Sequence, residues 1–195
     1  MTLLSLAATL CAGIIAWTLT EYLVYRFDGH GYRMIIPNHL HHHSDPVEYG
    51  VSYTSYAALT MFTAIWMLLG WPVGLVVHGL IFGLTFSCSL RYYEWLHDAL
   101  HDHAPRTAYG RWARRHHFFH HFKDPSLNHG VTSPVWDIVF RTHQPVREMM
   151  VPRKMAMKWL FDEAGEALPA YTSTYKVRGR APSNATTAAR SAMSA

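Results

Sequence analysis

The chain has 195 residues, of which 50% are hydrophobic and 15% charged, with 15 histidines and a formal net charge of +4. Soluble domains carry roughly 25% charged residues, so this composition argues against an ordinary soluble globule, a disordered chain, a collagen-like chain and a coiled coil. The length predicts one domain. Cys11 and Cys88 both lie in apolar runs, which argues against a disulfide framework and a cysteine-based zinc site.

Two long stretches without charged residues predict membrane-spanning helices. The first, residues 3–25, is long enough at about 1.5 Å per residue to cross a hydrocarbon core of about 30 Å. A signal peptide is the alternative, but the stretch lacks a basic amino-terminal region and a clear cleavage site. The second stretch is divided by the Gly70–Pro72 turn and predicts spans over 54–70 and 73–91. Two buried helices of a soluble bundle are the alternative for this second stretch.

Basic residues predict the orientation of these spans. Every lysine and arginine lies in residues 26–50 or 91–195, and three spans would place both regions on one side of the membrane. The positive-inside rule makes that side cytoplasmic. His78 lies within the third span, where a lone histidine has either a functional role or, as we expect here, a hydrogen-bonded packing role.

The sequence therefore predicts an all-α integral membrane protein with about three spans and a cytoplasmic, histidine-rich helical cap. Residues 1–145 form the main domain, in which a helix is predicted from Glu94 to about His121. Residues 146–172 contain an amphipathic stretch that either lies on the membrane surface or packs as a helix. Residues 173–195 are predicted to form a disordered tail.

Eight histidines recur at helical spacing in short motifs, and a ninth, His30, precedes the first of them by nine residues. On a helix, residues i, i+3 and i+4 fall on one face, so each motif can direct its imidazoles toward one point. Imidazole suits iron, zinc, copper and nickel, and nine donors exceed the three or four of one zinc site, so two metal ions fit the number better. The nine are His30, His39, His42, His43, His97, His101, His117, His120 and His121.

Two other interpretations explain an excess of histidines but not this spacing. One is a solvated or nucleic-acid-binding surface, and the other is a loose metal-binding tract such as residues 41–43. We expect no nucleic-acid partner. An imidazole bound to a metal usually donates its second N–H to a carboxylate, carbonyl or water. For any one acidic residue, exposure to solvent or pairing with an arginine is an equally good explanation. The candidates for that supporting role are Glu94, Asp98, Asp102 and Asn128.

The order of these motifs resembles the fatty acid hydroxylase superfamily, which includes fatty acyl and sphingolipid hydroxylases, sterol desaturases and, more distantly, carotenoid hydroxylases. The resemblance covers residues 21–143. It rests on Glu21-Tyr22-x-x-Tyr25-Arg26 with His30, His39-x-x-His42-His43, His97-x-x-x-His101, His117-x-x-His120-His121, and the closing segment Asn128-x-Gly130-Val131-Thr132-Ser133-Pro134-x-Trp136-Asp137-x-x-Phe140-x-Thr142.

One departure from the family pattern concerns the first motif. Relatives normally carry a histidine directly before the arginine, whereas Tyr25 precedes Arg26 here. Either another side chain supplies the missing ligand, or one metal is weakly held, or the chemistry differs. The candidate additional ligands are Tyr25 as a phenolate, His41, His103, His116 and His129.

The resemblance implies an O₂-dependent diiron oxidoreductase that hydroxylates an unactivated C–H bond of a fatty acyl, sphingolipid or sterol-like lipid. Zinc can replace iron in a purified protein, and no catalytic group is implied beyond the metal ligands. A lipid or sterol desaturase and a carotenoid hydroxylase are the alternative enzymes. The non-enzymatic alternative is a membrane metal-binding or transport protein, which the position of the histidines outside the spans disfavours.

Electrons for such a reaction must come from a partner. The sequence shows no nucleotide-binding glycine motif, no cysteine set for an iron–sulfur cluster and no haem domain. A separate ferredoxin or cytochrome b5-type donor is therefore implied. The basic residues Arg111, Arg114 and Arg115 are expected to contact either an acidic donor or anionic membrane lipids.

Overall fold

The computed structural model describes residues 2–32, 39–44 and 53–179, and most of its regular structure is helical. The helices are α1 (Leu3–Leu23), a π-helical continuation (Val24–Tyr32), α2 (His39–Ser44), α3 (Tyr53–Gly70), α4 (Val76–Asp102), α5 (Ala108–Phe122) and α6 (Val135–Val139). Two short strands, β1 (Met149–Pro152) and β2 (Tyr175–Arg178), pair in parallel with Met149 opposite Tyr175. These strands depart from the all-helical prediction.

The first helix begins with a capping box and continues without interruption to the first candidate metal ligand. The Thr2 hydroxyl accepts the Ser5 N–H at 3.2 Å, and the Ser5 hydroxyl accepts the Thr2 N–H at the same distance. At the other end, the π-helical residues carry His30. Within the described ranges, Leu3–Gly31 is the helix that is long and apolar enough to cross a membrane.

Helices α3 and α4 pack closely as a hairpin. A 3₁₀ turn over Trp71–Val73 joins them and ends at Gly74, whose φ of 69° favours glycine. Gly79 on α4 approaches α3 so closely that a Cβ atom there would lie 2.2 Å from the Trp66 carbonyl oxygen. Small residues permit this close approach of helix backbones. The second charge-free stretch therefore forms two helices that pack on each other.

Large apolar side chains are exposed on the outer surfaces of α1 and α3. Leu3 is 88% exposed, and Met61 and Leu68 are each more than 60% exposed. A water-soluble domain rarely presents an apolar surface of this extent. Between α4 and α1, His78 Nε2 lies 3.3 Å from the Ser5 hydroxyl, which confirms the predicted packing role of this histidine.

The helix predicted over residues 94–121 is two helices. The chain leaves α4 after Asp102 and begins α5 at Ala108. Pro105 lies between them and has no N–H to donate to a continuing helix. The Thr107 hydroxyl caps α5 by accepting the Gly110 N–H at 2.9 Å. As a result, α4 carries both the third predicted span and the histidine pair that follows it.

The prediction of an amphipathic helix within residues 146–172 is wrong. Prolines interrupt this region, and buried and exposed residues alternate along β1 with the period of a strand. Met149, Val151, Leu160 and Tyr175 instead pack against Phe118 of α5 in a small core. Residues 175–178 of the predicted tail form β2, whereas residues 180–195 lie outside the described part of the chain.

Candidate metal centre

The structure brings the nine motif histidines into two groups. Within each group the candidate ligand atoms all lie within 4.8 Å of one another. The five-histidine group consists of His42, His97, His101, His117 and His121, all buried. The four-histidine group consists of His30, His39, His43 and His120, of which His30 and His43 are half-buried.

Helical geometry explains how each H-x-x-H-H motif is divided between the groups. His39 and His43, four residues apart on α2, lie in the four-histidine group, whereas His42 lies in the other. At about 100° of rotation per residue, positions i and i+4 differ by about 40° around the axis, and i+3 and i+4 by about 100°. His117 and His121 likewise share one group while His120 joins the other. The expectation that each motif directs three imidazoles to one point is therefore wrong.

The spacing of the ring nitrogens fits metal binding. In the four-histidine group the Nε2 atoms of His39 and His43 lie 3.0 Å apart, and those of His30 and His120 lie 3.1 Å apart. In the five-histidine group the Nε2 atoms of His101 and His117 are 3.1 Å apart. Two nitrogens bound at about 2.1 Å to one ion, at right angles to each other, are about 3 Å apart. The donor atoms are thus spaced as ligands of a shared ion.

Burial keeps these imidazoles neutral, the form that binds a metal. Burial, together with neighbouring histidines, lowers the pKa of His39 to about 2 and that of His43 to about 3. The same causes hold the pKa values of His117 and His121 well below the usual value of 6.5. Each group therefore presents uncharged nitrogen lone pairs.

Some imidazole nitrogens lack the partners that a buried polar atom normally has. Both ring nitrogens of His121 are buried without a hydrogen-bond partner among the described residues, which costs about 1–3 kcal/mol per group unless a ligand compensates. His120 differs, because its Nδ1 bonds the Leu127 carbonyl at 2.9 Å. That contact fixes the ring so that Nε2 faces the group.

The four residues predicted to support the ligands have varied surroundings. Glu94 forms an ion pair with Arg91, and Asp102 is exposed. Burial, with the carboxylates of Asp102 and Glu94 nearby, raises the pKa of Asp98 to about 6. The Asn128 amide binds the backbone of Gln144 through both its oxygen and its nitrogen. The two hydrogen bonds of Asn128 join the loop after α5 to the backbone of Gln144.

The five candidate additional ligands also separate clearly. The Tyr25 ring contacts His39 with centroids 4.7 Å apart, but its hydroxyl lies 2.6 Å from that of Tyr93. His41 and His103 are exposed. The two buried candidates, His116 and His129, both lie beside the carboxylate of Asp137.

Asp137 is a fully buried carboxylate that the sequence analysis did not identify as a site residue. It accepts hydrogen bonds from His116 Nε2 at 3.2 Å and from the Gly130 N–H at 2.8 Å. Burial raises its pKa, but these bonds, with the bond from Thr142 and the nearby His129 imidazole, more than offset the effect and lower the pKa overall. A single acid within the apolar run 135–139 was the available signal.

A second buried carboxylate joins the closing segment to α1. Glu21 accepts the Thr132 N–H at 2.8 Å and the Thr132 hydroxyl at 2.6 Å. Nearby, the Trp136 indole N–H donates to the Thr18 hydroxyl at 3.1 Å. The loop that follows the last histidine motif is therefore anchored to the first helix, a role for Glu21 that sequence reasoning missed.

An apolar groove of about 770 Å³ lies between α1, α4 and the closing segment. The ring of Trp17 lines the groove and contacts Tyr93, with centroids 5.5 Å apart. The Tyr93 ring in turn lies 5.8 Å from that of His97. Two aromatic rings thus separate the groove from the five-histidine group. Other lining residues are Ile14, Thr18, Cys88, Tyr92 and Thr132.

One of the three arginines predicted to form a basic surface is buried. Arg111 is exposed and Arg115 half-buried, but Arg114 is 3% exposed and donates to the Leu100 carbonyl at 2.7 Å. Its guanidinium also bonds the Ala99 carbonyl at 2.9 Å. The last carbonyls of a helix lack intrahelical donors, and Arg114 donates to two of those at the end of α4. Its inclusion in a docking surface is therefore wrong.

Comparisons with known proteins identify a family, related sequences and a related fold. The model of the fatty acid hydroxylase family matches residues 10–142. A dihydroceramide fatty acyl 2-hydroxylase of Arabidopsis thaliana is 27% identical over 143 residues, covering 67% of this chain and 58% of the relative. The ceramide very long chain fatty acid hydroxylase scs7 of Schizosaccharomyces pombe is 29% identical over 151 residues, covering 69% of this chain and 42% of the relative. The chain thus spans about half the length of these relatives.

A solved structure shares the fold. It is that of full-length scs7p, in which only the hydroxylase domain is visible. The TM-score is 0.54 at 23% sequence identity, over 74% of this chain and 58% of that one. The family match includes all nine motif histidines and Asp137.

Proposed function

The chain belongs to the fatty acid hydroxylase family, and from this premise we propose that it hydroxylates an unactivated C–H bond in the acyl chain of a membrane lipid, using O₂ and two iron ions. The observation that carries the proposal is the division of nine histidines into groups of five and four with closely spaced donor atoms. Neutral nitrogen donors in this number suit iron.

Each histidine group would hold one ion. When bound, the iron ions supply the O₂-activating chemistry that the side chains of this chain cannot provide. Zinc can occupy the same nitrogen ligands in a purified protein. The protein's own contribution is to hold the imidazoles neutral and oriented, as the bond from His120 Nδ1 to the Leu127 carbonyl does.

The two groups differ in their access to solvent. All five members of one group are buried, whereas His30 and His43 of the other are half-buried. Exclusion of water protects reactive species from side reactions. We assign the exposed side of the four-histidine group as the side from which small reactants and electrons arrive.

Three helices would cross the membrane: α1, α3 and the first part of α4. Their exposed apolar side chains, such as Leu3 and Leu68, support contact with lipid. The histidine motifs and the carboxy terminus would then lie in the cytoplasm, where the positive-inside rule places the basic segments. Residues 1–145 constitute the hydroxylase domain in this assignment. A metal transporter is disfavoured because its ion site normally lies within the spans.

The groove between α1 and α4 is the proposed site of the acyl chain. Its lining is mainly apolar, and Thr18 and Thr132 are among the polar residues that line it. Trp17 and Tyr93 stand between this groove and His97, so these rings would control how the chain approaches the metal groups. The named activities of both curated relatives concern ceramide acyl chains, which favours a sphingolipid over a sterol or carotenoid and hydroxylation over desaturation.

A separate ferredoxin or cytochrome b5-type protein would supply the two electrons of each turnover. The exposed Arg111 would contribute to its docking surface by attracting acidic residues. Arg114 does not belong to that surface, because its guanidinium donates hydrogen bonds to carbonyls at the end of α4.

Comparative lipid analysis tests the proposal. Cells producing the wild-type chain are compared with cells producing His121→Ala at equal protein levels. We expect sphingolipids with one additional oxygen on the acyl chain in the wild-type cells alone. Identical lipid profiles, or transport of metal across the membrane without any change in lipid, would contradict the proposed function.

A further inference from the structure

We propose that His129 is the fifth protein donor to the metal ion held by the four-histidine group. This inference rests on the proposed metal-binding function. It assigns a ligand that the motif spacing left open among five candidates.

The two histidine groups are unequal in donor number, five against four. They are otherwise similar, because each combines histidines from α2 and α5 with donors from a third helical segment. An ion with four protein donors can take a further ligand, and a buried imidazole beside the group would supply one without admitting water.

The structure removes four of the five candidates for this position. The Tyr25 hydroxyl is directed to Tyr93, at 2.6 Å. His41 and His103 are exposed to solvent. His116 stacks between Trp112 and His143, with ring centroids 5.2 and 5.4 Å away, and its Nε2 faces Asp137.

His129 lies directly beside the four-histidine group. It is 2% exposed, and its ring centroid is 5.5 Å from that of His120. Two accepted members of the group, His39 and His120, have centroids 5.9 Å apart. The His129 ligand atom is not among those that lie within 4.8 Å of one another, so ligation requires its ring to turn toward His120 when the metal binds.

Asp137 provides the support that a ligating histidine requires. Its Oδ1 accepts the backbone N–H of His129 at 2.9 Å and lies 3.5 Å from His129 Nδ1. Among the described residues His129 Nδ1 has no hydrogen-bond partner. A small rotation that completes the bond to Asp137 leaves Nε2 as the free donor. A carboxylate bound to the second nitrogen is the usual partner of a metal-bound imidazole.

The test uses the purified full-length protein titrated with Co²⁺, whose visible absorption reports the number of its ligands. The variant is His129→Phe, which keeps an aromatic ring against Tyr22. We expect the affinity for one of the two ions to fall at least roughly tenfold and the absorption of that ion to change. Binding of two ions with wild-type affinity and an unchanged spectrum would overturn the proposal.

His116→Phe is the matched control, because it removes the other imidazole that contacts Asp137. It should keep both ions and the wild-type spectrum, and loss of the same ion would instead implicate Asp137 packing and overturn the ligand role. His120→Ala separates this inference from the proposed function. If His120→Ala also leaves both ions bound, the metal-binding function itself fails; if it removes an ion that His129→Phe retains, only the inference fails.

Replacement of Tyr25 gives a second, independent test of the proposal. If His129 already fills the position, Tyr25→His alone leaves the wild-type Co²⁺ affinity unchanged within about twofold. In the His129→Phe background the same change should restore part of the lost affinity, because the Tyr25 ring already lies 4.7 Å from His39. Much tighter binding in Tyr25→His alone would show that the position is vacant in the wild-type chain and would contradict the proposal.

Discussion

His42 and His43 are adjacent in the chain, yet their imidazole rings, with centroids 6.4 Å apart, belong to different histidine groups. His42 lies in the buried five-histidine group, and His43 lies in the four-histidine group, which is partly exposed. Neighbouring positions on a helix differ by about 100° in direction, so one short helix can serve both groups. α2 and α5 are thus shared walls of two adjoining sites.

The same division on α5 gives the first prediction. His120→Ala and His121→Ala should each lower the bound metal from two ions to one and abolish hydroxylated product, because each change removes a donor from a different group. Combining the changes should release both ions. Metal analysis of the purified variants checks this, and full retention of metal by both single variants would show that the groups do not bind ions.

The buried carboxylate of Asp137 should govern the stability of the closing segment. Asp137→Asn replaces one accepting oxygen by an amide that faces donors such as the Gly130 N–H, and we expect a loss of about 1–3 kcal/mol in the free energy of unfolding. Asp102→Asn is the control, since Asp102 is exposed. Equal unfolding curves for the two variants would be inconsistent with the role given to Asp137.

Metal-free protein should become less stable as the pH falls below about 6.5. The pKa values of His39, near 2, and His43, near 3, lie below the 6.5 of an unfolded histidine because burial disfavours their charge. Between those values the unfolded state binds more protons, so acid favours unfolding. Denaturant unfolding of the metal-free protein between pH 8 and pH 5 measures this effect. A stability that does not change over this range would contradict the assigned burial.

The groove offers a matched pair of cysteines. Cys88 lines it, whereas Cys11 does not, and both side chains are exposed. Cys88→Trp should reduce product formation and shift it toward shorter acyl chains while leaving two ions bound, because the indole occupies space for the chain. Cys11→Trp should change neither. The chain-length distribution of hydroxylated lipid is the readout, and equal distributions would exclude this groove as the acyl site.

The sequence predicted the features that follow from local periodicity. Charge-free stretches located the apolar helices, and helical spacing identified eight of the nine histidines that the structure gathers into two groups, while His30 was included for its position before the first motif. It did not predict which histidine joins which group, because that depends on the rotation of α2 and α5 about their axes relative to each other. Long-range packing, and not the motif alone, sets that rotation.

The region after the histidine motifs was predicted less well. Residues 146–172 have the polarity of an amphipathic helix, but prolines and the pairing of β1 with β2 give a strand and turns instead. Arg114 was expected at the surface, but it is buried and donates to carbonyls at the end of α4. The partners of Asp137 and Glu21 lie in segments whose approach only the folded chain establishes.

Isotopic labelling of O₂ tests the proposed hydroxylation. The purified protein, loaded with iron, is placed in vesicles containing a sphingolipid, supplied with a reduced electron donor and exposed to ¹⁸O₂. We expect one ¹⁸O atom in a new hydroxyl group on the acyl chain, and no such product with His121→Ala. Unlabelled product, or a lipid that remains unchanged although both ions are bound and reduced, would contradict it.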